Sequence, residues 1–129
     1  MLRTGSDFGI AHQDWNAAKA EARQAMIARA RMRRTIYYSE LVMEISSVQF
    51  EAHDTRLNHL LGEISTEEDE KGRGMLTVVV VHKSGERSGY PGAGFFELAA
   101  ELGRNVSDEL KCWSVELDRV FSEWSNRAR

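Results

Sequence analysis

The sequence predicts an α+β fold, mainly helical, in one domain. Three observations carry that prediction. Apolar residues recur at three- and four-residue steps near both ends of the chain, the mark of long amphipathic helices. Between them, Leu76 to His82 has the composition of a strand, with Thr77 and four consecutive valines. Directly after it, residues 83–94 hold four glycines and the only proline, a stretch suited to a loop or hairpin tip. A chain of 129 residues fits one domain better than two, and no internal repeat divides it.

Taken in order, residues 1–12 lack periodicity and predict a flexible arm, leaving 13–129 as the folded part. Asp14 is placed to cap a helix whose apolar positions are Trp15, Ala18, Ala22, Ala25 and Met26, running to about Arg33. Thr35-Ile36-Tyr37 is β-branched and aromatic and predicts a short strand. Ser39 then caps a short helix from Glu40 to Ile45, with Leu41, Val42 and Ile45 inward, and Ser46-Ser47 starts a turn. Asp54 or Thr55 caps the next helix, over 54–65, with Leu57, Leu60, Leu61 and Ile64 on one face. Ser65-Thr66-Glu67-Glu68 fits a capping box for one further turn, which Gly72 and Gly74 end. The run 76–82 does not alternate, so it is expected to be buried on both faces. Phe95 to Leu102 predicts a short helix stopped by Gly103. Asn105 or Ser107 caps the last, long helix, whose stripe is Val106, Leu110, Trp113, Leu117, Val120, Phe121 and Trp124.

Two short helices in tandem, then a strand, then a flexible loop follow the plan of a winged helix-turn-helix. The long N- and C-terminal helices flank it, and the second short helix, 54–65, is presented outward.

Composition excludes several classes. A single cysteine, Cys112, allows neither an intrachain disulfide framework nor a multi-cysteine zinc site. The longest apolar run, Met75 to Val81, is far too short to span a bilayer, and the N-terminal residues lack an apolar signal core. A soluble, cytoplasmic protein with no membrane contact is the expectation. Net charge is −3, which argues against a surface coated for nucleic acid. The sum hides a polarity. Residues 1–34 carry seven basic and three acidic side chains, and residues 35–71 carry two and nine. That polarity can place an anionic partner at one side, and more often such polarity is ordinary solvated surface.

Catalytic and cofactor motifs are weak or missing. Gly92-Ala93-Gly94 precedes a helix, but the P-loop lysine and the dinucleotide glycine pattern are absent, and a tight entry into a packed helix explains the glycines. His53 and His59 lack metal-ligand spacing. Asp69-Glu70-Lys71 has the letters of a nuclease triplet but lies at an acidic helix end and reads as a solvated face. No nucleophile elbow occurs. No enzyme, cofactor or metal is expected.

Tyr38-Ser39-Glu40-Leu41 resembles the Tyr-Gly-Glu-Leu start of the first motif helix in alkyltransferase-like proteins, winged-helix relatives of the DNA-repair methyltransferases. Val80-Val81-His82-Lys83-Ser84-Gly85-Glu86-Arg87-Ser88-Gly89-Tyr90 resembles their stretch after the active site, and Arg56 falls near the arginine they push into the DNA stack. The resemblance covers about residues 35–94 and implies a winged fold and DNA. The family's Pro-Cys-His-Arg motif falls on Leu76-Thr77-Val78-Val79, so methyl transfer to a cysteine is not carried over. Gly72-Arg73-Gly74-Met75-Leu76 with Pro91-Gly92-Ala93-Gly94-Phe95-Phe96 is also similar to a pattern in uncharacterised small bacterial proteins, which implies no activity.

The expected function is therefore non-enzymatic nucleic-acid binding, as an accessory or regulatory factor on double-stranded DNA. Thr55, Arg56, Asn58 and His59 would meet a groove, with Arg56, Asn58 and His59 at base edges. Lys83, Arg87 and Ser88 on the wing, with Arg31, Arg33 and Arg34, would meet phosphates. The alternative is a protein-interaction module on the same fold, using the acidic middle or the C-terminal tryptophan helix. Trp113, Leu117, Val120 and Trp124 are expected to pair two copies into a homodimer.

Overall fold

The computed structural model describes residues 6–126. The protein is α+β and mainly helical. Strands β1 (Ser6–Asp7) and β2 (Ile10–Ala11) form an antiparallel hairpin. Its two turn residues, Phe8 and Gly9, both take positive φ, 55° and 79°, the geometry that matches strand twist in a two-residue hairpin. The expected arm over 1–12 is thus a hairpin from residue 6 to residue 11, and residues 1–5 lie outside the described residues. The hairpin leads straight into α1 (His12–Arg31), two residues before the expected start, with no side-chain cap.

Helix α1 buries Trp15, Ala18, Ala22, Met26, Ile27 and Ala30, the alanine-rich face that the spacing marks. It ends at Arg31, because Arg33 turns into the left-handed region at φ 56°. There the Arg34 N–H donates to the Arg29 carbonyl at 2.9 Å and the Arg33 N–H to that of Ala30 at 3.0 Å, a Schellman closure. Strand β3 (Ile36–Tyr37) and helix α2 (Tyr38–Met43) follow. Ser39 lies within α2 and does not cap it; Glu40 accepts from the Tyr37 N–H at 3.0 Å. Helix α3 (Thr55–Glu70) is capped by Asp54, whose carboxylate accepts from the Arg56 N–H at 2.9 Å. It runs unbroken past Ser65, so the expected capping box there starts no new turn. Its buried face includes Leu57, Leu60, Leu61 and Ile64, as the spacing requires.

The expected strand 76–82 is the main correction. Leu76–Val79 is a 3-10 turn, and only Val80–Val81 forms a strand, β4, which pairs in parallel with β3. Burial on all sides holds as expected. The backbone groups find side-chain partners in place of a second strand. The Met75 N–H donates to Glu116 at 2.8 Å, the Thr77 N–H to Ser65 Oγ at 3.1 Å, and Trp113 Nε1 donates to the Val78 carbonyl at 3.1 Å. Buried backbone polar groups must be paired, and α3 and α5 do this without a ladder. The segment accordingly packs against α1, α3 and α5 at the centre of the fold.

After β4, residues 83–91 form a tight loop closed on His82, whose N–H donates to the Tyr90 carbonyl at 2.9 Å. Helix α4 (Ala93–Glu101) buries Phe95, Phe96 and Ala99 and closes at Gly103. Helix α5 (Glu109–Ser125) is capped by Asp108, later than Asn105 or Ser107. Its buried line is Cys112, Glu116, Val120 and Trp124. Of the expected stripe, Val120 and Trp124 enter the core, Trp113, Leu117 and Phe121 are half-buried, and Leu110 is exposed. The helix is rotated from its apolar stripe because Glu116 is drawn inward by Arg104 and Met75.

Candidate functional site

The residues expected to meet nucleic acid do not share one face. Thr55, Asn58 and His59 are exposed on the first turns of α3. Arg56 is folded back on its own cap. It donates to Asp54 through Nε at 3.0 Å and through a terminal nitrogen at 2.6 Å, and lies over the Phe50 ring at 5.3 Å. Hydrogen bonds from Arg56 hold the Asp54 carboxyl down at about 2. This end of α3 lies beside the start of α1, where Phe8 touches both His59 and Trp15. Arg31, Arg33 and Arg34 are at the other end of α1, about 24 Å from Trp15 along the helix. Arg33 pairs there with Asp118 at 3.2 Å and lies over Phe121. Arg29, Arg33, Arg34, Thr35, Tyr37, Glu40 and Phe121 border a shallow hollow of about 420 Å³, with Arg29 paired to Glu40. Lys83 is near that end too, close enough to Glu40 to help hold its carboxyl down after Tyr37 and Arg29. Arg87 bonds the Pro91 carbonyl at 3.3 Å, and Ser88 bonds the Lys83 carbonyl at 3.0 Å.

Of the triplet expected to be a solvated face, Glu70 and Lys71 are exposed, but Asp69 belongs with Glu67 and Glu68 to an internal clamp. Glu67 pairs with Lys19 at 2.8 Å and with Arg23. Glu68 is fully buried, takes two hydrogen bonds from Arg73 at 2.6 and 2.9 Å, and sits 3.3 Å from Arg23. Asp69 is held by Arg104 at 2.6 Å, and Arg104 also holds the buried Glu116 at 3.0 Å. Burial works against the charge of Glu67 and Glu68, but their basic partners outweigh it and hold both carboxyls below the usual range. Hydrogen bonds from Arg104 do the same for Asp69. Much of the polarity seen along the sequence is thus spent inside the fold, α1 against α3.

What remains open lies between α3 and α4. A groove of about 900 Å³ lies there, with Phe8 and Tyr38 also in its lining. Leu61, Phe95 and Leu98 form its apolar part. Glu63 and Glu67 on α3 and Glu97 and Glu101 on α4 contribute carboxylates, with Lys19 between the first two at 2.9 and 2.8 Å. Glu97 and Glu101 have no ion-pair or hydrogen-bond partner among the described residues. Gly92, the cap of α4, lets that helix approach closely: a Cβ there would lie 3.2 Å from both Tyr38 Oη and His82 Nε2. Burial pushes the Tyr38 hydroxyl up, against a bond from the Gly92 N–H.

Thr55, Asn58 and His59 belong to this groove; Arg56 and the five cationic positions 31, 33, 34, 83 and 87 do not. The sequence reading missed Glu97, Glu101 and Gly62. Their signals were present: two like charges one turn apart, which destabilise an isolated helix, and a glycine inside an otherwise good one.

Among the described residues, no three His, Cys, Asp or Glu side chains gather where they could hold a metal ion. Burial pushes the Cys112 thiol up, away from a reactive thiolate. No described helix is long and apolar enough to cross a membrane. No protein-family model, no curated protein and no solved structure matches the chain.

Proposed function

We propose that this protein is a non-enzymatic protein-interaction module whose contact face is the groove between α3 and α4. One observation carries the reading. The exposed start of α3, the face a winged helix would offer to DNA, opens onto carboxylates: Glu63 and Glu67, answered by Lys19 and Arg23, and Glu97 and Glu101, which no described cation answers. Duplex DNA carries about one negative charge per 1.7 Å of axis, so that face repels it. A partner with basic side chains is attracted by the same field.

The winged helix-turn-helix plan belongs to this proposal. The tandem α2 and α3, with the 83–90 loop beyond β4, support it; the parallel two-residue pairing of β3 with β4 departs from it. Nucleic-acid binding is the second reading, favoured by the hollow at the other end of α1, where Arg34 is exposed beside Arg33 and Arg29.

Fluorescence anisotropy with single- and double-stranded DNA separates the two. No salt-sensitive binding at low ionic strength is expected. Binding that Arg34→Ala weakens would put the nucleic-acid reading first. In cells expressing the tagged chain, Glu97→Lys with Glu101→Lys is expected to lose the protein captured by the wild type.

A further inference from the structure

We infer that the groove receives a basic amphipathic helix of a partner protein, with its backbone crossing α3 at Gly62. The inference rests on the proposed interaction role and adds the chemistry and geometry of the partner.

The glycines carry the argument. Nine lie among the described residues. Six take positive φ, a conformation that side chains disfavour, and Gly92 is pressed against Tyr38 and His82. Only Gly62 and Gly94 have no such internal reason. A Cβ at either would meet nothing within 4 Å among the described residues. Both line the same groove. Gly62 is the more telling, because it sits in the middle of α3, where glycine is the poorest helix former after proline. Neither backbone geometry nor packing among the described residues calls for the missing side chain. Space reserved for another backbone does.

The walls give the occupant's form. Both are helices, and no residue of β3 or β4 lines the groove, which favours a helical occupant over an added strand. The row Thr55, Asn58, Gly62 and Thr66 follows α3 at helical spacing with short side chains, which admits a third helix at close range. The half-buried Leu98 and the exposed ring of Phe8, above a floor of the buried Leu61 and Phe95, meet its apolar face, the helix-in-groove mode of recognition.

The rim gives its charge. Glu97 and Glu101 stand one turn apart on α4 and have no partner among the described residues. Lysine or arginine residues at the same four-residue step on the incoming helix answer them.

The test is a displayed library of random 16-residue peptides, selected on the full chain. Selected peptides are expected to carry an apolar helical face with basic residues four apart, and to gain helical circular dichroism on binding. Each is expected to bind Gly62→Met at least tenfold more weakly, although Gly62→Met unfolds at no lower temperature than the wild type. The double variant Glu97→Lys, Glu101→Lys is expected to lose them and to bind versions with the basic residues changed to glutamate. Peptides that bind Gly62→Met as well as wild type, or that are acidic or lack helical periodicity, would overturn the inference and leave the interaction role standing elsewhere on the surface. No selected peptide at all would also overturn it, and DNA binding in the anisotropy experiment would remove the interaction role as well.

Discussion

Arg33 ends α1 in a conformation that glycine adopts at the ends of α3 and α4. Its φ is 56°, against 77° at Gly72 and 90° at Gly103. An L-residue in the left-handed region costs roughly 1–2 kcal/mol. The Arg33 side chain offsets this through Asp118, Ser125 and the Phe121 face, contacts that are half-exposed and each worth up to about 1 kcal/mol. Arg33→Gly removes the strain and the contacts together and is expected to leave stability within about 0.5 kcal/mol. Arg33→Ala keeps the strain, and urea unfolding is expected to find it about 1 kcal/mol below the glycine variant. Asp54 is a second residue whose role is set locally. Its folded carboxyl titrates at about 2, below its ordinary 3.8. A depressed carboxyl stabilises the fold above its ordinary value, and that contribution is lost as pH falls toward the folded one. Glu67, Glu68 and Asp69 act in the same direction. Stability is therefore expected to decline as pH drops below about 4.5, the ordinary glutamate value, in a pH series of thermal melts. Asp54→Ala should cost about 1 kcal/mol at neutral pH, from the lost cap, and should soften the acid limb between pH 3.8 and 2.

At the scale of elements, the amphipathic helices were legible in the sequence and the central segment was not. Leu57, Leu60, Leu61 and Ile64 repeat at helical steps, and local spacing suffices to place them on one side. Leu76 to Val81 reads as a strand because β-branched residues prefer extended backbone. Its backbone partners are Ser65, Glu116 and Trp113, between 12 and 41 residues away in the chain, and no local pattern announces them. Ser65 makes the point measurable. Its hydroxyl accepts from the Thr77 N–H at 3.1 Å and lies 2.5 Å from Thr77 Oγ1, all fully or nearly buried. Ser65→Ala adds no bulk but leaves that N–H without its partner, and chemical denaturation is expected to show a loss of roughly 1–3 kcal/mol. Ser65→Thr, which restores the hydroxyl, should recover part of it. No loss in Ser65→Ala would mean that the turn finds its hydrogen bonds elsewhere.

For the whole molecule, the apolar terminal helices bear on self-association. The homodimer expected from Trp113, Leu117, Val120 and Trp124 loses two of its four residues to the core of a single chain, since Val120 and Trp124 are buried. The half-buried Trp113 donates its indole N–H to Val78 and stacks near Tyr90, 5.2 Å between ring centres. What remains on α5 is the row Leu110, Leu117 and Phe121, with the exposed Val115 off it, too little for a stable interface. Sedimentation velocity at high micromolar concentration is expected to return a monomer. A dimer would have to use that row, and Leu110→Glu would then dissociate it.

The sequence by itself determined the helical class, the order of the main helices and the inward faces of α1 and α3, because side-chain periodicity is a local property with a fixed period. It also marked the glycine stops after α3 and α4, where backbone geometry alone favours glycine. Tertiary structure decided the rest. It turned Glu67, Glu68 and Asp69 from an apparent surface tract into partners of Lys19, Arg23, Arg73 and Arg104, since ion pairs depend on distance in space. It drew Glu116 inward and rotated α5 about it. It parted Arg31, Arg33 and Arg34 from Thr55, Asn58 and His59 by the length of α1, and set α4 beside α3 so that Glu97, Glu101 and Gly62 face one groove. Those outcomes depend on how helices pack against one another, and contacts between residues far apart in the chain leave no period along it.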